Sequence, residues 1–162
     1  MFHSYTYGDL TLQEIPSKLK AFYEKNKVYD SEFQIIVGTD SQNSSKTKMV
    51  TVIAIICKGH GGIFFYKITY LPLIKNLKKK LHEETNDSIQ TTYELLDIIE
   101  NNEEYEEILC SIPISIHVDL GNAGESRFMK SEIVGWITGL GLDYSIKPDS
   151  FVASTIADKI SK

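Results

Sequence analysis

Two aspartates, Asp40 and Asp119, each lie at the end of a predicted strand. A strand can hold a carboxylate rigidly at such a position. Asp40 follows the short apolar run Ile35-Ile36-Val37 and the small pair Gly38-Thr39, and Asp119 follows the alternating run Ile112 to Val118. Both runs are typical of β-strands. Alone, Asp40 is better explained as a turn residue entering a hairpin, because Asp is a favoured turn former. A chemical role for it depends on other carboxylates converging on it.

Two further carboxylates occupy unusual helix positions. At 100° per residue, Glu84 falls in the same narrow sector as Leu81 and Ser88, whereas Glu83 points away. A carboxylate on a core-facing stripe is costly unless it is paired, hydrogen-bonded or bound to a metal. Asp158 lies in the last turns of the final predicted helix, where the macrodipole disfavours negative charge. A solvated Asp near a chain end explains that position equally well.

Lysines lie on the polar side of the helical pattern that contains Glu84. Such a run is usually a solvated face, and a strip that contacts a phosphate backbone is the sharper alternative. The members of the run are Lys75, Lys78, Lys79 and Lys80. The candidate substrate contacts are Ser41, Gln42, Lys75, Lys78 and Lys79.

The elements that must position these residues follow from periodicity and turn signals. A first amphipathic helix is predicted over Thr11 to Asn26, with a Thr11/Glu14 capping box and with Pro16 favouring a later start. A long helical pattern opens at Pro72 and continues through Ile99, and Asn101 to Glu107 is predicted to be an exposed acidic connection. The strands are predicted at Phe33–Thr39, Lys48–Lys58, Ile63–Tyr70, Ile112–Asp119 and Tyr144–Ile146, and later helices at Ser126–Thr138 and Phe151–Ile160, the last announced by Pro148-Asp149-Ser150.

The order β-β-β-α-β-α-β-α, after the first helix, predicts an α/β fold. Three strands with short connections form an antiparallel meander, and the later βα crossovers add two parallel strands. We therefore expect a five-stranded mixed sheet flanked by helices, in a single domain over residues 1–162, with residues 1–30 as an N-terminal helical extension. If the first and fourth strands are parallel neighbours, Asp40 and Asp119 meet at one edge, within reach of Glu84 and Asp158.

Converging carboxylates repel each other unless cations neutralise them. Hard oxygen ligands with open coordination positions suit Mg²⁺ or Mn²⁺ rather than zinc. Two such ions about 4 Å apart activate a water and stabilise a leaving oxygen in phosphodiester cleavage.

Composition bounds the function classes. The 162 residues have a formal net charge of −5, which argues against non-specific binding to a nucleic-acid backbone but allows a local basic strip. No signal peptide is recognised, and the longest apolar run, Met49 to Cys57, is too short to span a bilayer, so a cytoplasmic location is expected. Cys57 and Cys110 lack zinc-ligand spacing and are expected to be buried reduced thiols.

Several linked segments resemble the YkuK-like family of ribonuclease H-like proteins, an uncharacterised bacterial family. They are Gly38-Thr39-Asp40-Ser41-Gln42, His117-Val118-Asp119-Leu120-Gly121, Glu132-Ile133-Val134-Gly135-Trp136 and Lys147-Pro148-Asp149-Ser150 through Ala157-Asp158-Lys159. The resemblance spans roughly Phe33 to Lys159 and implies the ribonuclease H fold. By position it implies metal ligation by Asp40, Asp119 and Asp158, while Glu84 rests on helix phase and the Glu84/Ser88 spacing. His117 is interpreted as a strand histidine that supports Asp119.

The resemblance implies a divalent-metal-dependent nuclease acting on RNA, RNA/DNA hybrid or structured nucleic acid, in which Asp40, Glu84, Asp119 and Asp158 bind two Mg²⁺ or Mn²⁺ ions. The alternative is a catalytically inactive module of this fold that binds nucleic acid or a protein partner. A third hypothesis, nucleotide-phosphate hydrolysis as in actin-like relatives of the fold, is opposed by the single-domain length.

Overall fold

The computed structural model describes residues 1–120 and 128–146 of the chain. Within them the strands are β1 (Phe2–Ser4), β2 (Gly8–Leu10), β3 (Phe33–Asn43), β4 (Thr47–Cys57), β5 (Gly62–Leu71), β6 (Ile114–Val118) and β7 (Asp143–Ile146). The α-helices are α1 (Ile15–Asn26), α2 (Leu77–Glu100), α3 (Glu106–Ser111) and α4 (Lys130–Gly139).

A single mixed sheet contains all these strands, in the order β2-β1-β5-β4-β3-β6-β7. The antiparallel β3-β4-β5 meander and the parallel neighbours β3, β6 and β7 confirm the predicted topology. The predicted number of strands is wrong, because the sheet has seven strands and not five. The additional strands, β1 and β2, have three residues each, too few for an alternating pattern to be visible in the sequence. They form a hairpin that joins β5 where His3 pairs with Tyr66.

Strand β3 is longer than predicted, and Asp40 does not lie at its tip. The antiparallel pairing with β4 continues past Asp40, which pairs with Val50, as far as Asn43 and Thr47. The polar residues after Asp40 were expected to begin a turn, but they continue the ladder. The reversal comes later, where the Ser44 N–H donates to the Lys46 carbonyl at 2.9 Å. Cross-strand hydrogen bonds therefore override the local turn preference of Asp40.

Helix α2 begins at Leu77 and not at Pro72. The Asn76 side chain caps it by accepting a hydrogen bond from the Lys79 N–H at 2.9 Å. The preceding segment is held against the β3–β4 hairpin instead. The Asn43 amide donates to the Ile74 carbonyl, and the Ile74 N–H donates to the Thr47 hydroxyl, both at 2.8 Å. Lys75 consequently lies outside the helix.

The remaining helices match the predictions in part. Helix α1 starts at Ile15, after a 3-10 turn that holds the Thr11/Glu14 capping box, as Pro16 led us to expect. Helix α4 starts at Lys130, and the expected first residue, Ser126, lies outside the described residues. The predicted helix over Phe151–Ile160 also lies outside them. The expected connection Asn101–Glu107 contains a 3-10 turn and the first residues of the unpredicted helix α3.

The sheet is buried on both faces at its centre, where most residues of β4 are apolar and buried. One core cluster joins α1, α2 and α3 to strand residues such as Ile35, Ile53 and Phe65. A second cluster packs α4 and α2 against Ile116 and Val118 of β6. Fully burying a large apolar side chain contributes roughly 1.5–3 kcal/mol. The two clusters therefore fix α2 across the sheet and with it the position of Glu84.

The structure also shows the exposure of the two cysteines and the length and polarity of the helices. Cys57 is buried, whereas Cys110 in α3 is exposed, so the expectation that both thiols are buried is wrong for Cys110. Among the described residues, every helix is too short or too polar to cross a bilayer.

Candidate functional site

Asp40 and Asp119 lie on adjacent parallel strands at the same level. The β3–β6 register pairs Gly38 with His117, and each aspartate lies two residues further along its strand. Asp119 was predicted as the last residue of a strand over Ile112–Asp119, and it directly follows Val118, where β6 ends. Neighbouring strands are about 4.8 Å apart, so the two backbones approach closely at this point. Parallel strands need a long crossover, and here that crossover includes α2, which contains Glu84.

Glu84 is a buried carboxyl on the sheet-facing side of α2, as its helical phase predicted. Its side chain is only 7% exposed, and it accepts a hydrogen bond from the Ser41 hydroxyl. The pKa of Glu84 is raised to about 8, chiefly by burial and also by the nearby charges of Asp40 and Asp119. The Ser41 hydrogen bond and the positive charge of Lys80 act in the opposite direction. Without a cation, the carboxyl is therefore mostly protonated at neutral pH.

Asp40 belongs to the opposite face of β3. Alternation along the strand directs Thr39 and Ser41 towards α2, and it directs Asp40 away from α2. One oxygen of the Asp40 carboxylate accepts a hydrogen bond from the backbone N–H of Ser41 at 2.9 Å. The two carboxyl groups thus flank β3 and interact electrostatically across it.

A row of side-chain hydrogen bonds holds α2 on the sheet next to Glu84. The Thr39 and Ser88 hydroxyls are 2.8 Å apart, and the Thr51 hydroxyl donates to Asp87. The Lys67 ammonium lies 3.7 Å from Asp87 on the same side. The contact between Thr51 and Asp87 was not predicted from the sequence. The available signals were a single hydroxyl inside the apolar run of β4 and an acid one turn after Glu84.

The donor chemistry of the site fits a hard divalent cation. Carboxylates are the ligands that Mg²⁺ and Mn²⁺ favour, and a cation next to Glu84 would stabilise its ionised form. Thr39, Glu84, His117 and Asp119 line a cavity of about 10 Å³. That volume admits about one water-sized particle. Within residues 1–120 and 128–146, however, no three side chains of the Asp, Glu, His or Cys type converge as a metal cage.

The other predicted site residues differ in their surroundings. Lys75 and Lys79 are exposed, and Lys78 lies 3.6 Å from Glu132 of α4. Gln42 is exposed, whereas Ser41 is buried against Glu84. His117 is buried in β6, next to Gly38. Asp158 lies outside the described residues.

A large surface cleft lies at the other end of β3. It measures about 580 Å³, and its lining includes Lys27, Phe33 and Lys58. Both lysines have acidic neighbours, since Lys27 is 2.7 Å from Glu24 and Lys58 is 3.9 Å from Glu32. Ligands of open α/β sheets bind beyond the carboxyl ends of the parallel strands, and Asp40, Glu84 and Asp119 lie near that end. The acidic edge is therefore the better candidate despite its smaller cavity.

One family model and one relative match this chain over most of its length. A family model described as Ribonuclease H-like matches residues 14–162. The chain is 28% identical over 169 residues to an uncharacterised protein, YkuK, of Bacillus subtilis (strain 168). That alignment covers 100% of this chain and 97% of the YkuK protein. No solved structure matches significantly.

Proposed function

Since the chain belongs to the ribonuclease H-like family, in a YkuK-like branch of it, we propose that it is a divalent-metal-dependent nuclease. The proposed reaction is hydrolysis of phosphodiester bonds in RNA, RNA/DNA hybrid or structured nucleic acid. The main support is the buried Glu84, whose pKa is raised by its own burial and by Asp40 and Asp119. Ionisable groups with such strongly shifted pKa values cluster at functional sites.

The proposed roles follow from the surroundings of each residue. Asp40 and Asp119 would hold Mg²⁺ or Mn²⁺, with Glu84 and, from outside the described residues, Asp158. When bound, two such ions supply an activated water and stabilise the leaving oxygen. Ser41 orients the Glu84 carboxyl through its hydroxyl, so its proposed role is positioning rather than contact with substrate.

The phosphate backbone of the substrate would lie along the basic residues next to the acidic edge. Lys75 is exposed just before α2, Lys79 is exposed in its first turn, and Gln42 is exposed near the end of β3. Lys78 would exchange its 3.6 Å contact with Glu132 for a phosphate. This local arrangement attracts a polyanion although the net charge of the chain is −5. A nucleic-acid substrate also agrees with the cytoplasmic location expected from the sequence.

Incubation with labelled single strands, duplexes and hybrids in Mg²⁺ or Mn²⁺ tests the proposal. We expect cleavage that a chelator abolishes and that Asp40→Asn or Asp119→Asn lowers at least a hundredfold, the order of effect of losing one group that stabilises transition-state charge. Asp97→Asn is a matched control, because Asp97 is an exposed acid near the far end of α2. Cleavage that survives both site substitutions would identify a contaminant and refute the assignment.

One observation favours the non-catalytic alternative. The described residues do not gather three metal-ligating side chains around one point. A module of this fold that binds nucleic acid or a protein without turnover predicts that binding persists in a chelator and that no product forms with either metal.

A further inference from the structure

Exposed aromatic rings lie along β5 on the sheet face opposite to α2. Tyr70 is 61% exposed, and Phe64 and Tyr66 are half-buried on the same face. Tyr5, in the turn after β1, is 80% exposed, and its ring centroid lies 5.4 Å from Phe64 and 6.3 Å from Tyr66. We call Tyr5, Phe64, Tyr66 and Tyr70 the aromatic row. On β5, Phe64 and Tyr66 are roughly 7 Å apart, and Tyr66 and Tyr70 are roughly 13 Å apart with Ile68 between them.

The aromatic row shares its sheet face with Asp40. Directly opposite residues in antiparallel strands point to the same side. Asp40 pairs with Val50, and Val50 pairs with Ile68, which lies between Tyr66 and Tyr70 on β5. The backbones of Asp40 and Ile68 are therefore two strand spacings apart, about 10 Å. The aromatic row therefore runs about two strand spacings from Asp40, with the fully buried Val50 between them.

One stretch of the chain is rich in lysine and contains no acidic residue. Residues 41–82 contain eight lysines and neither Asp nor Glu, and two of these lysines, Lys46 and Lys48, lie near the Tyr70 end of the aromatic row. Lys48 pairs with Tyr70 across β4 and β5, and the exposed Lys46 lies in the hairpin next to that end of β5. Charge complementarity therefore favours a polyanion as the occupant of this face.

We propose that the aromatic row is a stacking surface for an unpaired nucleic-acid strand, which it leads to Asp40 while Lys46 and Lys48 contact the phosphates. Bases stack on exposed aromatic rings only when they are free of a duplex, and sheet surfaces present such rings well. Stacking does not depend on the sugar, so RNA and DNA single strands bind alike and duplexes bind more weakly. The inference rests on the proposed nuclease function, because it names the substrate of that same site as one with an unpaired segment.

Binding is measured by fluorescence anisotropy with labelled short oligonucleotides in a chelator, so that cleavage does not interfere. Tyr70→Ala is expected to weaken single-strand binding about tenfold, and Tyr70→Phe to preserve it because the ring remains. Tyr29→Ala is the matched control, since Tyr29 is 53% exposed but lies at the opposite end of the sheet, stacked on His60. Lys46→Gln is expected to reduce the dependence of log K on log[salt] by about 0.7.

Three results would overturn the inference. They are unchanged single-strand binding by Tyr70→Ala and Tyr5→Ala, duplex binding as tight as single-strand binding, and a wild-type dimer that Tyr70→Ala dissociates, which would make a second copy the occupant. Failure of the nuclease proposal looks different. Tyr70-dependent binding without cleavage supports the stacking surface and refutes catalysis, whereas Asp40-dependent cleavage with an unchanged KM in Tyr70→Ala refutes the stacking surface alone.

Discussion

Replacement of Glu84 by Gln should change how the stability of this protein depends on pH. The pKa of Glu84 is raised from an ordinary value of 4.5 to about 8, chiefly by burial. Folding therefore favours the protonated carboxyl. The contribution of Glu84 to stability is fully present below pH 4.5 and is lost as the pH rises towards 8. Glutamine imitates the protonated form at every pH and cannot titrate.

The size of the effect follows from the pKa difference. One pH unit within this window corresponds to about 1.4 kcal/mol for a group that is protonated only in the folded state. Between pH 5 and pH 7 the free energy of unfolding of Glu84→Gln should therefore rise relative to that of the wild type by about 3 kcal/mol. A constant offset from burying an amide next to Ser41 does not affect this change.

Urea unfolding in a chelator at several pH values measures the effect. The single tryptophan, Trp136, is half-buried on α4 and provides the fluorescence signal. Glu83→Gln makes the same substitution at the adjacent position and is the matched control. A Glu84→Gln difference from the wild type that is constant between pH 5 and pH 7 would refute the reasoning, because it would mean that Glu84 is ionised and solvated in the folded protein.

Three further outcomes are expected. Adding Mg²⁺ or Mn²⁺ at pH 7 should raise the thermal unfolding temperature of the wild type more than that of Glu84→Gln, because the variant lacks one of the proposed carboxylate ligands. Equal shifts would place the cation away from Glu84. In urea unfolding, Asp87→Ala should lower the free energy of unfolding by about 1–3 kcal/mol, because the buried Thr51 hydroxyl loses its acceptor. Asp87→Asn keeps an acceptor oxygen and should lower it less, and equal losses would contradict this explanation. A thiol reagent should label Cys110 rapidly and Cys57 only after unfolding, as peptide mass spectrometry would show, since Cys110 is exposed and Cys57 buried; rapid labelling of both would indicate an open sheet.

The candidate site could be predicted from the sequence to the extent that it depends on local patterns. Alternation along β6 predicted that Asp119 ends that strand, and it directly follows Val118, where β6 ends. Helical phase predicted that Glu84 is buried although its neighbours are polar. Both predictions concern a side chain and its own element, and periodicity reports which side of an element is buried.

Predictions failed where pairing between distant residues overrides local preference. The residues after Asp40 favour a turn, yet hydrogen bonds to β4 extend β3 to Asn43. The hairpin of β1 and β2 is too short to produce a pattern and is held by its contact with β5. Likewise, Asp87 resembles an ordinary solvated helix residue until Thr51 is placed opposite it.

The sequence by itself determined the main elements, the mixed character of the sheet and the burial of Glu84, whereas the structure showed that the two acid-bearing strands are neighbours. The three predicted features follow from hydrophobic periodicity and connection lengths within short stretches. Only the tertiary structure decided that Asp40 and Glu84 flank β3 from opposite faces and that Ser41 holds Glu84. It also placed the aromatic row on the face of Asp40. These relations depend on strand register and helix rotation, which many contacts between residues far apart in the chain determine together.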